Sequence, residues 1–190
     1  MVSTPVTKLT FEQYLTYDDG SGFHYELVDG RLELINPPTI QHFLIVAFLD
    51  TAFIAEIQRL SLPWLTFRKT GTRTGKNKSR LTDLSVVTQE QARELINLSA
   101  VFESPPLLVV EVVSPDSIKW DYHYKRSEYA AVEVPEYWIV DPLKEKISVL
   151  WLEEGFYEET VFTGDQQIVS RTFPEMAIAV NRVFSAGHLS

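Results

Sequence analysis

The chain has no cysteine and only two methionines. The first absence removes disulfide scaffolds, thiolate zinc sites and cysteine nucleophiles together, and fits a reducing compartment. Only oxygen and histidine ligands remain for a metal, and His24, His42, His123 and His188 show no zinc spacing. No glycine-rich phosphate loop and no Gly-x-Ser-x-Gly elbow is present. No apolar run approaches the roughly 18 residues of a membrane span, and Met1 to Lys8 lack the apolar core of a secretory signal. The expectation is a cytoplasmic protein with no membrane partner. Repeats, low-complexity tracts and linkers are also missing, so the 190 residues are expected to form one domain over 1–190.

What is present in excess is acid. There are 26 carboxylates against 17 lysines and arginines, a formal charge of −9, which as an average speaks against a nucleic-acid partner. That objection holds only if the charge is evenly spread. Between Phe67 and Arg80 the chain reads FRKTGTRTGKNKSR, with Arg68, Lys69, Arg73, Lys76, Lys78 and Arg80 and no acid. Gly71, Gly75 and Asn77 suggest a mobile hairpin or loop. In isolation such a run is simplest to read as solvated; it becomes a polyanion-binding arm if chemistry lies close by in the fold.

Local pattern gives the organisation. Thr10 and Gln13 have capping-box spacing before a short helix with Phe11, Tyr14 and Leu15. Asp29-Gly30 marks a hairpin within Phe23 to Ile35. After Pro37-Pro38 a longer helix is expected, with Ile40, Phe43, Leu44, Ala47, Phe48, Thr51, Ile54 and Ile57 as its buried stripe and His42 as a local hydrogen-bonding residue near its start. Strands are expected at Trp64 to Thr70, Leu81 to Val87, Leu107 to Val113 and Tyr137 to Asp141, a helix at Ser117 to Val132, and a hairpin from Ile147 to Phe162 around Glu154-Gly155. The fold class is α/β: a mixed sheet flanked by helices, with N-terminal and C-terminal β-hairpins.

Three charged residues stand where a core should be apolar. Alternation in Leu107 to Val113 leaves both faces apolar, so the strand is central and Glu111 is at least partly buried, which is costly without a cation or donors. On the following helix Ile118, Tyr122, Tyr129 and Val132 form one stripe with Lys125 in its middle, pointing inward, while Lys119 and Arg126 face solvent. Asp83, early in the preceding strand, comes beside Glu111 if the two strands are neighbours. Two adjacent carboxylates repel, and a shared Mg²⁺ resolves the repulsion with oxygen ligands. The plainer alternative is a buried Glu–Lys pair with an unrelated surface aspartate.

The runs LTDLSVV, LLVVEVVSPDS and DYHYKRSEYAAVEVPEYWIVDP, with YELVDGRLEL and QHFLIVAFL upstream, resemble the putative restriction endonuclease family abundant in cyanobacteria, a branch of the PD-(D/E)XK nuclease superfamily. The likeness covers about Tyr25 to Leu150 and implies a restriction-endonuclease-like fold. Residue by residue, it implies that Asp83 is the metal-holding aspartate, Glu111 the second acid and Lys125 a migrated replacement for the strand lysine, whose place Val113 takes. Glu26 matches a position read as an auxiliary acid, and Thr82 replaces the usual proline before the aspartate. The expected activity is Mg²⁺-dependent (or Mn²⁺-dependent) DNA phosphodiester hydrolysis, with Asp83, Glu111 and the Val112 carbonyl on the metal and Arg68 to Arg80 on the DNA backbone. Cutting both strands suggests a homodimer, an expectation from the presumed reaction and not from residues. A non-catalytic DNA- or protein-binding module on the same fold is the competing expectation, and in that reading Lys125 only neutralises Glu111.

Overall fold

The computed structural model describes residues 8–189; residues 1–7, which hold most of the leading segment read above as lacking a secretory core, and Ser190 lie outside them. The chain opens with α1 (Phe11–Leu15), closed by the Thr10–Gln13 capping box that its spacing predicts. Strands β1 (Tyr25–Val28) and β2 (Arg31–Leu34) form the expected hairpin. Asp29 and Gly30 both take positive φ at its turn, the geometry that matches the twist of the flanking strands. Thr39 then caps the 20-residue α2 (Ile40–Arg59).

Next comes a long antiparallel hairpin that is bent in the middle. Its outer arm is β3 (Trp64–Phe67) followed by β4 (Gly71–Gly75), and its returning arm is β5 (Lys78–Leu81) followed by β6 (Leu84–Thr88). Pairs β3–β6 and β4–β5 belong to different sheets, so the chain crosses from one sheet to the other at Arg68–Thr70 and back at Thr82–Asp83. After α3 (Gln89–Glu94) come β7 (Val101–Phe102), β8 (Leu108–Val112), a π-helical turn at Trp120–Lys125 that runs into α4 (Arg126–Ala131), then β9 (Glu136–Asp141), β10 (Lys146–Glu153), β11 (Phe156–Thr163) and α5 (Val180–Ala186). The five-stranded sheet has the order β2-β1-β5-β4-β7 and the six-stranded sheet β11-β10-β9-β8-β6-β3. Each is mixed through one parallel pair, β4–β7 and β8–β9 respectively. The mixed α/β architecture with hairpins at both ends matches the expectation, with the sheet divided in two at the bend.

Alternation along β8 and β9 feeds two cores. Leu108, Val110, Val112, Trp138 and Val140 face α2 and α5, where Ile45, Leu49, Phe53, Val183 and Phe184 close over them. Val109, Val113, Tyr137 and Ile139 face the other side, where Tyr129 of α4 packs. Tyr129, Tyr137 and Trp138 are thus core residues. Glu136, at the start of β9, is 1% exposed and accepts from Trp138 Nε1, the Ser170 and Thr172 hydroxyls and the Arg171 and Thr172 N–H groups. It pins the segment leading to α5 against the sheet.

Three expectations need correction. The buried stripe of α2 is His42, Ile45, Val46, Leu49, Asp50, Phe53 and Ile57, whereas Ile40, Phe43 and Ile54 are 65%, 50% and 40% exposed. Apolar residues lie on several faces of this helix, so periodicity alone leaves its phase open; the face that is buried also carries two polar contacts, His42 beside Asp83 and Asp50 on Thr66 and Arg68. By length and composition alone α2 is apolar enough to cross a membrane, but its buried face packs on the sheet. Of the two alternatives for the basic segment, hairpin or loop, the structure shows the hairpin, with β4 paired to β5. Finally, Leu81 to Val87 is two strands divided at Thr82–Asp83, and Ser117 to Val132 is a π-helical turn followed by an α-helix.

The bend brings β4 very close to β7. A Cβ placed on Gly71 would lie 2.7 Å from Val101 Cγ2, inside any tolerable contact. Gly71→Ala is expected to destabilise the protein by about 1–3 kcal/mol, the usual cost of overpacking. A urea midpoint equal to wild type would show that the two strands separate freely.

Candidate active site

Asp83 occupies the inner corner of the bend. The last register pair of β6 and β8 is Leu84 with Val110, so the residue before Leu84 comes alongside Glu111. There, where the β6 ladder stops, the Val112 N–H donates to Asp83 Oδ2 at 2.8 Å. N–H and C=O of one strand residue point the same way, so the Val112 carbonyl is directed to this side as well. The other carboxylate oxygen, Oδ1, receives the Lys69 ammonium from the outer arm of the bend and lies 3.0 Å from His42 Nε2. Burial disfavours charge on Asp83, but His42, Lys69 and Lys125 outweigh it and hold the carboxyl well below the usual carboxylate range.

Glu111 projects from β8 onto the α4 side, 1% exposed. Lys125 Nζ donates to its Oε2 at 2.8 Å and the Tyr129 hydroxyl to its Oε1 at 2.6 Å. Lys125 is also 3.2 Å from Asp121 and 3.8 Å from Glu26. The π-helical turn supplies this inward pair, since both Asp121 and Lys125 are buried in it. Wider turns of this kind recur at functional sites. Burial would strip the proton from Lys125, yet Glu111, Asp121, Glu26 and Asp83 together hold it protonated well above the ordinary lysine value.

Glu26 reaches the same place from β1. Pairing of Leu27 with Ser79 sets it beside β5, where it accepts from Arg80 at 2.8 Å and from the Leu81 N–H at 3.1 Å. Glu26, Asp83, Glu111, Lys125 and Lys69 line one cleft of about 460 Å³. The sequence argument names all five, four as catalytic residues and Lys69 as a DNA contact, and also Val112, which lines the same cleft; it missed Asp121, and it gave His42 and Tyr129 only local or packing roles. A short polar residue one helical turn before an inward lysine was the available signal for Asp121.

The basic segment is largely engaged with acids. Arg68 pairs with Asp50, Arg73 with Glu103, and Lys78 with Asp29 and Glu128. Arg80 is the clear departure: at 1% exposed, held by Glu26 and Glu128, it is a core cation and not a surface contact for DNA. Lys76 at the hairpin tip is exposed.

The donor set suits a hard divalent cation. It is all oxygen, Glu26, Asp83, Glu111 and Asp121 gather round Lys125, and Asp121 Oδ1 is buried without an aligned hydrogen bond. Among the described residues no three acids or histidines are already arranged round one metal-sized point. The ammonium groups of Lys69 and Lys125 stand on the oxygens that a cation would take.

Burial, with Asp83 and Asp121 nearby, pushes the Glu111 carboxyl up to about 8 against the pull of Lys125. Folding thus favours its protonated form. The stability this contributes is complete below the ordinary value of 4.5 and is lost as pH rises toward about 8. Glu111→Gln, which does not titrate, should flatten the fall in stability across that window, with some slope left by the similarly raised Asp121. Urea midpoints measured from pH 5 to pH 8 check it, and an unchanged slope would remove Glu111 as its source.

A crystal structure described as "a putative nuclease belonging to DUF820 from Anabaena variabilis ATCC 29413" matches with a TM-score of 0.79 and 17% sequence identity, over 95% of this chain and 99% of that one. That likeness shows the fold. The type IIG restriction endonuclease BpuSI matches with a TM-score of 0.41 and 15% identity, over 80% of this chain and 17% of its own. No curated protein matches the sequence. The family model "Uma2: Putative restriction endonuclease" matches residues 11–181, and the chain belongs to that family.

Proposed function

We propose that the protein is a divalent-metal-dependent nuclease that hydrolyses DNA phosphodiester bonds at the cleft lined by Asp83, Glu111 and Lys125. The observation that carries this reading is the meeting of these three side chains, from the sheet corner, the central strand and the π-helical turn, in one cleft of a chain from a nuclease family. Asp83, Glu111 and the Val112 carbonyl would hold Mg²⁺ or Mn²⁺. Bound there, the cation would supply a polarised phosphoryl oxygen and a water of lowered pKa.

The chain's own groups do the rest. The Val112 N–H fixes one oxygen of Asp83, and Tyr129 fixes one of Glu111, so neither carboxylate has to be ordered when substrate arrives. Lys125, held protonated by its acidic neighbours, is suited to meet negative charge developing on the phosphoryl group and not to take a proton from water. Glu26, tied to Arg80, is a positioning residue that keeps Lys125 in place. Their exposure favours Lys76 and the half-exposed Arg68 as members of the basic segment that touch the DNA backbone, a contact that is salt-sensitive and carries no sequence information. Cleavage of both strands would call for two copies of the chain.

The test is cleavage of supercoiled and linear DNA with and without Mg²⁺ or Mn²⁺. Asp83→Asn, Glu111→Gln and Lys125→Ala should each lower the metal-dependent rate by about a hundredfold or more, as loss of one preorganised charged group does elsewhere. Equal activity in all three variants would remove the site. DNA binding without cleavage in wild type would favour the non-catalytic module.

A further inference from the structure

Lys69 differs from the other cations of the site in backbone and in exposure. Its φ is 56°, a left-handed conformation that costs a non-glycine residue on the order of 1 kcal/mol. The other described non-glycine residues with positive φ, Asp29, Ser61, Glu133, Glu145 and Glu154, lie in turns between strands or directly after helices. Lys69 lies at the bend between β3 and β4, where its N–H donates to Thr82 O at 3.0 Å and holds it across from Asp83.

Its side chain is 35% exposed, against 9% for Lys125 and 1% for Arg80. A lysine ammonium is a strongly hydrated point charge on a flexible stem. Lys69 is therefore the cation of this cluster that can leave its acid for water without unpacking the core. Lys125 cannot do so, and His42 is fixed on α2.

We propose that Lys69 is the exchangeable counter-ion of the cleft: it neutralises Asp83 while no divalent cation is bound, and withdraws to the cleft mouth when one takes the Asp83 oxygen. The proposal rests on the metal-site reading above and adds that metal affinity is set by competition with this ammonium. Withdrawal leaves a free positive charge beside the position of an incoming phosphodiester, so metal uptake and DNA binding reinforce each other.

The experiment is calorimetric titration of the full chain with Mn²⁺ for wild type, Lys69→Met, Lys69→Arg and Asp83→Asn, with urea midpoints to confirm folding. Lys69→Met should bind Mn²⁺ roughly tenfold more tightly, the scale of one partly screened charge at contact distance. Lys69→Arg, which keeps the charge, should stay near wild type. In Ca²⁺, the Lys69→Met variant should hold a labelled DNA oligonucleotide more weakly, opposite in sign to its metal affinity. Metal binding by Lys69→Met that is equal to or weaker than wild type, while Asp83→Asn abolishes it, would overturn the counter-ion role and leave the metal site standing. Binding unchanged by Asp83→Asn would overturn the metal site and this proposal together.

Discussion

One hydrogen bond joins the two halves of this molecule at its most demanding point. Val112 N–H to Asp83 Oδ2 closes the gap where the β6 ladder ends and the chain turns into the other sheet. Without the aspartate, a buried strand donor at a sheet corner would have no partner, at a cost of roughly 1–3 kcal/mol. The bend on the outer arm faces the same problem, and Lys69 N–H with Thr82 O, then Thr82 N–H with Thr70 O, carry the ladder round it. Asp83 is thus fixed by the fold before it has any chemical task. An acid placed for backbone reasons at the seam of two sheets then sets what must surround it.

What surrounds it is an electrostatic balance built from distant elements. β1 brings Glu26, β5 brings Arg80, β8 brings Glu111, the π-helical turn brings Asp121 and Lys125, and α2 brings His42. Truncating one partner of such a cluster leaves its neighbours charged and dry, which is why clusters of this kind are sensitive to single changes. Arg80 carries a second duty: bonded to Glu26 and Glu128, with its guanidinium 5.0 Å from the Trp120 ring centroid, it ties both sheet and helix to one cation.

Much of this was legible in the sequence because it was written as conflict. A glutamate in a run of valines and a lysine in an apolar helical stripe break local rules, and broken local rules cluster at functional sites. Hairpins at Asp29-Gly30 and Glu154-Gly155 were legible for a different reason, since few residues accept their backbone angles. The phase of α2 was not, because apolar residues lie on several faces of that helix and the partners of its buried polar residues, Asp83, Thr66 and Arg68, come from later in the chain. The engagement of the basic segment was hidden likewise: its partners Asp50, Glu103 and Glu128 come from α2, the bend after β7 and α4, and composition alone does not show which charges are already paired.

Glu136 gives the sheet its own control. It and Glu111 are both glutamates on adjacent parallel strands, each 1% exposed, yet they are satisfied in opposite ways. Glu136 is met by neutral donors, most of them from one short stretch of chain, and nothing about it can be exchanged without unfolding that stretch. Glu111 is met by an ammonium and a phenol at the wall of an open cleft. A buried acid is therefore an ambiguous sign of chemistry, and where its partners stand removes the ambiguity: neutral donors from one packed stretch of chain make a rivet, and a charged donor at the wall of an open cleft makes a socket.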